Sequence, residues 1–324
     1  MVKHRIYIIQ FLIGFILILL WIPACQHRPE QLSITPSDCR IVHHAGGTSC
    51  IPQHPQRVVT LDGVTLEYLL SLEIQPIGAV LNQLDQHLIT DQAIHINNVG
   101  TAGAPNLEKI LQLKPDLILG LDFHQAIYAQ VARIAPVVLF EFGYSGQWKE
   151  AFQNFAAVLG KDEISQQVID RYYQRLEQFK ARIDQNLPEV SVIRIDPVSI
   201  YPYFRESFCG VVLQDAGLPR PPAQNLSAIE AQQQFNNPIQ TAISKERLDW
   251  VDGDVIFVWI GENMRETAQT AQRQLEQLQS TPLWSSLSAV QQKRVYSVPS
   301  YWIGSGPIAA NRIIDDLFKY LVDS

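Results

Sequence analysis

The sequence predicts an α/β fold of two Rossmann-like lobes, each with a mainly parallel sheet, joined by a single long α-helix. Strand and helix patterns alternate along most of the chain, one helical pattern near the middle is unusually long, and one short block recurs on both sides of it. Alternation with short loops favours parallel sheets that are covered on both faces. The chain length of 324 residues is also typical of about two domains.

The long helical pattern covers residues 162–186 and supplies the predicted connection between the lobes. Its apolar residues recur every three or four positions, which places them on one helix face: Ile164, Val168, Tyr172, Leu176, Phe179 and Ile183. Asp162 is the expected N-cap, and Pro188 is the expected stop. About 25 helical residues would form a rod of roughly 37 Å. The alternative interpretation is a long surface helix of a single domain.

The predicted first lobe covers residues 57–161. Strand patterns fall at residues 57–61, 76–80, 116–120 and 136–140, and helical patterns fall at residues 65–72, 106–113 and 148–159. Asn106 is the expected N-cap of the second of these helices, and Pro115 cannot continue it. Because ligands bind beyond the carboxyl ends of the strands in such sheets, Thr60 and Asp62 are candidate ligand contacts.

The predicted second lobe covers residues 188–324 and follows the linking helix at residues 162–187. Strand patterns fall at residues 190–195, 255–260 and 294–298, and helical patterns fall at residues 207–216 and 311–322. Residues 218–238 are rich in Pro, Asn and Gln, which predicts a long loop. Trp302 follows the last strand, and two nearby glycines place it in an open loop.

One short block occurs once in each predicted lobe. The two copies are EKILQLKPDLIL and ERLDWVDGDVIF. In the first copy Glu108 begins a helix and lies eight residues before Asp116, which opens a buried strand. In the second copy Glu246 lies eight residues before Asp254 in the same arrangement. This recurrence supports two related lobes.

The N-terminal residues 1–25 predict export. A basic stretch at residues 3–5 precedes an apolar run of 16 residues at 6–21, and the sequence IPAC follows at 22–25. The run is short for a membrane span, which needs about 20 residues, so a cleaved signal is the better interpretation. The IPAC sequence resembles a bacterial lipobox, by which Cys25 would become the lipidated first residue. The alternative is a retained anchor, and both place the protein outside the cytoplasm on a membrane.

Residues 26–56 predict a polar tether followed by a hairpin. Export permits a disulfide, and the ten residues between Cys39 and Cys50 include two adjacent glycines suited to a turn. We therefore expect a Cys39–Cys50 disulfide. The alternative is a metal site of both cysteines with His43 and His44. It is disfavoured because neighbouring side chains in an extended segment point in opposite directions.

Several longer stretches resemble the iron-siderophore and cobalamin class of ABC-transporter substrate-binding proteins. They are RVVTLDGVTLEYLLSLEIQPIG, NVGTAGAPNLEKILQLKPDLILG and KERLDWVDGDVIFV. The stretches CRIVHHAGGTSCIPQHPQRVVTLDG and VYSVPSYWIGSGPIAANRIIDDL are similar to its iron-siderophore members. The resemblance covers residues 39–321. It implies two α/β lobes with the ligand between them, and delivery to a membrane permease whose arginines contact Glu108 and Glu246. Helix capping alone also explains both glutamates.

Charge and histidine placement narrow the possible ligands. A net charge of −7 disfavours a nucleic-acid binder, which would carry a basic stripe. The seven histidines left after export all lie at or before His124. A bare-metal site shared between the lobes is therefore disfavoured, and we expect no metal site and no resident cofactor. A chelated metal requires aromatic walls and a few cationic or polar anchors instead.

Anionic ferric siderophores require cationic anchors, and the second lobe offers two. Arg194 ends a strand and Arg205 lies in the next loop, where their guanidinium groups suit carboxylate or catecholate oxygens. Salt bridges are the alternative role for both arginines. Tyr203, Trp259 and Trp302 are the candidate aromatic contacts, with simple packing as the alternative.

The resulting hypothesis is a monomeric, extracytoplasmic binding protein that captures a ferric siderophore and delivers it to an ABC permease without catalysis. Cobalamin or haem is an alternative ligand, and Tyr201 or Tyr203 could be the axial ligand of haem. An exported α/β enzyme with a carboxylate base at Asp62 or Asp196 is the alternative from another class. It is disfavoured because the sequence has no nucleophile elbow, P-loop, H-E-x-x-H or paired-carboxylate signature.

Overall fold

The computed structural model describes residues 39–81, 96–260 and 265–323, with side chains of the last range described from residue 269 onward. The predicted signal, tether and lipidation site at Cys25 lie outside these residues. Within the described ranges, each helix is too short or too polar to cross a bilayer.

A disulfide-linked hairpin begins the described chain. β1 (Cys39–His44) pairs antiparallel with β2 (Gly47–Pro52). Cys39 and Cys50 are joined by a disulfide, with their Cα atoms 5.5 Å apart. The hairpin is fastened to the first lobe because Ser49 Oγ donates to the Val137 carbonyl oxygen at 2.7 Å.

The first lobe is built on a parallel sheet. Its strands are β3 (Val58–Thr60), β4 (Gly78–Ala79), β5 (Asn97–Asn98), β6 (Gly100–Thr101), β7 (Ala104–Pro105), β8 (Leu117–Leu121) and β9 (Val137–Phe140). Five of them form the sheet in the order β5-β4-β3-β8-β9, all parallel, and β6 with β7 forms a separate small ribbon. The helices of this lobe are α1 (Gly63–Ser71), α2 (Leu107–Leu113), α3 (Tyr128–Val131) and α4 (Trp148–Val158).

The linking helix α5 (Asp162–Lys180) has 19 residues and is shorter than predicted. Its N-cap is Lys161, so the prediction of Asp162 as the cap is wrong by one residue. The helix ends at Lys180 rather than at residue 186, because its buried face ends at Phe179 and most later residues are exposed. Without a packed apolar face, further turns gain little stability.

The second lobe has a mixed sheet. Its strands are β10 (Val190–Ile195), β11 (Ile200–Pro202), β12 (Val255–Ile260) and β13 (Val295–Ser297). They lie in the order β11-β10-β12-β13, and β11 alone is antiparallel to its neighbour. The helices are α6 (Phe208–Asp215), α7 (Ala228–Phe235), α8 (Arg265–Gln279), α9 (Pro282–Ser285), α10 (Ser288–Gln291) and α11 (Pro307–Leu321). The predicted α/β class with mainly parallel sheets is confirmed.

The prediction of a structureless loop at residues 218–238 is wrong, because α7 lies within it. Ser227 Oγ accepts a hydrogen bond from the Glu230 backbone N–H, and the Glu230 carboxylate accepts one from the Ser227 backbone. This capping box is encoded by a Ser followed three residues later by a Glu. The stretch SAIEA contains this capping pattern. The loop prediction overlooked it because it rested on the high content of Pro, Asn and Gln.

One packed core connects both sheets with α5. The buried residues of the α5 face are Ser165, Val168, Ile169, Tyr172, Leu176 and Phe179. Five of these are apolar side chains in a core cluster that includes residues of both lobes. Tyr172 OH donates to Asp215 Oδ2 at 2.8 Å. Glu67 Oε1 of the first lobe accepts from the Ala309 N–H at the start of α11, also at 2.8 Å. The lobes are therefore joined by polar contacts as well as by apolar packing.

Candidate functional site

A cavity of about 220 Å³ lies where a turn of the first lobe meets the second lobe. Its lining residues are Ser145, Arg194, Tyr203, Phe208, Cys209, Ile239, Gln240, Trp302 and Ile303. Three of the predicted ligand contacts, Arg194, Tyr203 and Trp302, thus come together here. Alternate residues of β10 share a face, which directs Arg194 at its carboxyl end to this side of the sheet.

Arg194 is the cation of this cavity. Its guanidinium carbon lies 4.3 Å from the ring centre of Tyr201 and 5.8 Å from that of Trp259, its partner in the β10–β12 register. Nη2 lies 3.2 Å from Asp196 Oδ2. Nε is buried and has no hydrogen-bond partner among the residues that the structure describes. The side chain is thus oriented by two rings and one carboxylate, and it retains a donor for a ligand oxygen.

Tyr203 and Trp259 are buried polar aromatics at the same edge of the sheet. Tyr203 is 5% exposed and Trp259 is 1% exposed. Burial raises the pKa of Tyr203 well above its ordinary value, so its phenol stays protonated. Trp259 Nε1 is buried, and within residues 39–81, 96–260 and 269–323 it has no hydrogen-bond partner. Trp259 does not line the cavity directly but packs behind Arg194.

The prediction that Trp302 lies in an open loop is wrong. Trp302 belongs to a short 3₁₀ helix (Ser300–Ile303) and is 0% exposed. Its ring centre lies 4.3 Å from that of Phe257, and Nε1 donates to Asp316 Oδ2 at 2.8 Å. Burial raises the pKa of Asp316. Trp302 thus lines the cavity as a packed core residue, because Phe257 packs against its ring and Asp316 accepts from its N–H.

Thr60 and Asp62 lie in the interior of the first lobe and do not line this cavity. Asp62 is the N-cap of α1, where Oδ1 accepts from the Thr65 N–H at 2.8 Å. Oδ2 lies 3.9 Å from Nδ1 of His124, and burial lowers the pKa of that histidine. Both side chains are buried in the structure, and their role as ligand contacts stays a prediction.

Arg205 also lies outside the cavity lining. Nη1 donates to Asn225 Oδ1 at 3.3 Å, and Nη2 lies 3.6 Å from Glu206 Oε1. The structure thus agrees with the salt-bridge alternative for Arg205, because its neighbour in the sequence satisfies it locally.

Arg220 is a functional candidate that the sequence reasoning missed. It is 6% exposed and lies behind Tyr203, where Nη2 donates to the Tyr203 carbonyl oxygen at 2.8 Å and to Gln224 Oε1 at 2.6 Å. Burial lowers its pKa to about 10, so it stays charged at neutral pH. Arg220 lies in the Pro-rich stretch that the sequence predicts to be a loop. Nothing in the sequence therefore indicated that its side chain is buried.

A larger cavity of about 670 Å³ lies in the first lobe, beyond the carboxyl ends of β8 and β9. Its lining residues are Ala45, Asp122, Phe123, Gln125, Glu141, Phe142, Gly143, Gln147, Glu150, Ala151 and Asn154. Asp122, Glu141 and Glu150 give it a negative wall without a cationic side chain. The acidic residues Asp122 and Glu141 follow the strand patterns at 116–120 and 136–140, and this placement in the sequence could have predicted the cavity.

The recurring block has the same structural role in each lobe. Asp116 accepts from the Arg57 N–H at 2.9 Å, which ties the start of β8 to that of β3. Asp254 accepts from the Glu189 N–H at 2.8 Å, which ties β12 to β10. Glu108 lies in the first turn of α2, and Glu246 lies in the first turn of a 3₁₀ helix (Lys245–Val251). Both glutamates are exposed, and hydrogen bonding to Ser244 lowers the pKa of Glu246.

Comparisons with known proteins agree on one family. The family model described as "Periplasmic binding protein" matches residues 58–302. A Bacillus subtilis protein named "Probable siderophore-binding lipoprotein YfiY" is 32% identical over 334 residues, covering 99% of both chains. The "Achromobactin-binding periplasmic protein" of Dickeya dadantii is 28% identical, covering 82% of this chain and 86% of its own.

The architecture also matches a solved structure. The crystal structure of Staphylococcus aureus SirA complexed with staphyloferrin B superposes with a TM-score of 0.72 at 26% identity, covering 87% of this chain and 98% of SirA. The match of the family model over more than half of the sequence, together with full-length similarity to a curated relative, identifies the family. The chain belongs to the periplasmic binding protein family.

Proposed function

We propose that this protein is an extracytoplasmic substrate-binding protein that captures an anionic ferric siderophore and delivers it to an ABC permease. The observation that carries the proposal is Arg194, a partly buried cation that lines the cavity between the lobes and whose Nε–H has no partner in the described part of the chain. Lipidation at Cys25 and docking through Glu108 and Glu246 belong to the same proposal. Relatives named for siderophore binding support it.

Electrostatics favours the cavity at Arg194 over the larger one in the first lobe. Arg194 lines this cavity and buried Arg220 lies next to Tyr203 behind it, where low polarity strengthens the attraction of both charges for an anion. The three carboxylates of the 670 Å³ cavity would repel the same anion. We therefore place the carboxylate or catecholate oxygens of the chelate at the guanidinium of Arg194.

The size of the cavity implies a movement on binding. Its 220 Å³ is below the range of about 300–1,000 Å³ typical of ligand pockets. A whole chelate would enter only if the turn at Ser145 and the second lobe moved apart. The protein's task is capture without covalent chemistry, so selectivity rests on charge and shape.

A tryptophan fluorescence titration of the purified protein tests the ligand class. The panel is ferric citrate, a citrate-hydroxamate ferric siderophore, a ferric catecholate, cobalamin, haemin and free Fe³⁺. Trp259 and Trp302 lie beside the cavity, so saturable quenching by an anionic ferric chelate and none by free iron is expected. Quenching by cobalamin or haemin alone would keep the fold and overturn the ligand. Absence of binding throughout the panel would overturn the proposed function.

A further inference from the structure

An exposed aliphatic side chain accompanies Glu108 on the first lobe. Leu111 is 59% exposed and follows Glu108 by three residues on α2. Residues three apart on a helix are surface neighbours. The helix is fixed at its start by Asn106, whose Oδ1 accepts from the Lys109 N–H at 3.0 Å. The first lobe thus presents a carboxylate and an aliphatic group side by side on a rigid element.

An exposed aliphatic side chain also accompanies Glu246 on the second lobe. Val198 is 88% exposed, and it lines a cavity of about 480 Å³ together with Glu246. The loop that carries Val198 and the segment just before Glu246 are held together by two backbone hydrogen bonds between Ile200 and Ile243, at 2.8 and 3.4 Å. The 3₁₀ helix that carries Glu246 is anchored by buried Leu248. The same pair of chemical groups is therefore presented a second time.

Single exposed apolar residues are common on protein surfaces and need no explanation. What distinguishes Leu111 and Val198 is their place beside the two glutamates of the recurring block, one on each lobe. An exposed ion pair alone contributes little to binding, because water screens it. Apolar contacts beside the pair exclude that water and strengthen the attraction.

We propose that Leu111 and Val198 are apolar docking contacts that act together with Glu108 and Glu246. The partner is a membrane permease whose surface presents two arginine or lysine side chains, each bordered by apolar groups. The aliphatic stems of such side chains pack on Leu111 and Val198 while their charged ends meet the carboxylates. This inference rests on the proposed function, because it takes the permease as the partner.

The rim of the second-lobe cavity adds hydrogen-bonding groups to this surface. Gln274, Gln277 and Thr281 line it together with Val198 and Glu246. A protruding side chain of the permease would find an apolar edge, a carboxylate and amide groups within one cavity. The contact on this lobe therefore suits a basic side chain with a long aliphatic stem.

The test is the double variant Leu111→Asn with Val198→Asn, and the matched control is Ile41→Asn with Ile229→Asn. The control residues are similarly exposed, at 60% and 71%, but neither is a helix neighbour of Glu108 nor lines the cavity that holds Glu246. Cells that lack the chromosomal gene express each variant, and uptake of radiolabelled iron is measured. The probe is the ferric chelate that quenches the wild-type protein at the lowest concentration in the panel above.

We expect the Leu111/Val198 variant to bind this chelate with unchanged affinity and to lower uptake by about tenfold, while the control keeps wild-type uptake. Unchanged uptake in the test variant, or an equal loss in the control, would overturn the inference. A wild-type dimer in sedimentation that the test variant abolishes, with uptake unchanged, would instead assign these residues to self-association. Absence of chelate binding or uptake in the wild type would overturn the proposed function, and the inference with it.

Discussion

Arg194 illustrates how the site is prepared for an anion. A buried donor without a partner costs about 1–3 kcal/mol, and Nε of Arg194 is such a donor. The rings of Tyr201 and Trp259 hold the guanidinium in place, so little further ordering is needed when a ligand arrives. A ligand oxygen that accepts from Nε removes this cost, which makes the unsatisfied donor a source of affinity.

Trp302 carries a prediction about stability. Trp302→Phe removes the N–H that donates to Asp316, and Asp316 is only 8% exposed. We expect the free energy of unfolding to fall by about 1–3 kcal/mol in urea denaturation, with little change in ligand affinity. Unchanged stability together with clearly weaker binding would contradict the core role assigned to Trp302.

At the residue scale, the sequence predicts where along a strand or loop a side chain lies better than it predicts how exposed that side chain is. Arg194 and Tyr203 line the same cavity, because strand ends and side-chain alternation are local properties of the sequence; their role as ligand contacts stays a prediction. The burial of Trp302 depends on Phe257 and Asp316, and the role of Asp62 depends on the start of α1. Such contacts join residues whose proximity appears only in the folded chain.

At the element scale, strands and well-capped helices were predictable from local signals. β10 has the predicted bounds, and α2 begins after the predicted cap Asn106. α5 was predicted too long because apolar spacing alone does not show where tertiary packing ends. α7 was missed because composition outweighed its capping box.

The hairpin of β1 and β2 carries a prediction about pH. His44 Nδ1 accepts from the backbone N–H of Gly46 at 3.0 Å and of Leu139 at 3.4 Å, which requires a neutral ring. Burial, aided by nearby His43, lowers the pKa of His44 below its ordinary 6.5. The unfolded chain therefore binds this proton more readily. Neutral His44 stabilises the folded state fully at a pH above the ordinary pKa, which is that of the unfolded chain. This stabilisation is lost as the pH falls from there through the lowered pKa of the folded state.

We expect the melting temperature to fall between about pH 7.5 and about pH 5.5, and to fall less in His44→Asn than in the wild type. His54→Asn is the matched control, since His54 is exposed and is not among the groups that lower the pKa of His44. An equal pH dependence in all three proteins would exclude His44 as the cause.

At the scale of the whole molecule, the contact between the lobes limits how they can move. Gly146 lies in the 3₁₀ turn Ser145–Gln147 of the first lobe, against the backbone oxygen of Glu206 in the second. A Cβ at Gly146 would overlap that oxygen. Ser145 of the same turn lines the cavity, so a movement of the turn away from Glu206 would change the shape of the cavity.

Gly146→Ala should therefore act as a wedge between the lobes. We expect a larger radius of gyration in small-angle X-ray scattering and altered affinity for the ferric chelate, because the lobes can no longer close fully. Gly103→Ala is the matched control, since a Cβ there would meet no atom within 4 Å. A Gly146→Ala protein identical to the wild type in both measurements would show that the turn yields without moving the lobes.

The measurement that tests the central claim most directly is the dissociation constant of an anionic ferric chelate for Arg194→Ala, by tryptophan fluorescence. Arg205→Ala is the control, because Arg205 lies outside the cavity and pairs with Glu206. Loss of a charged hydrogen bond predicts about ten- to hundredfold weaker binding for Arg194→Ala and wild-type binding for Arg205→Ala. Equal dissociation constants for Arg194→Ala and the wild type would contradict the account.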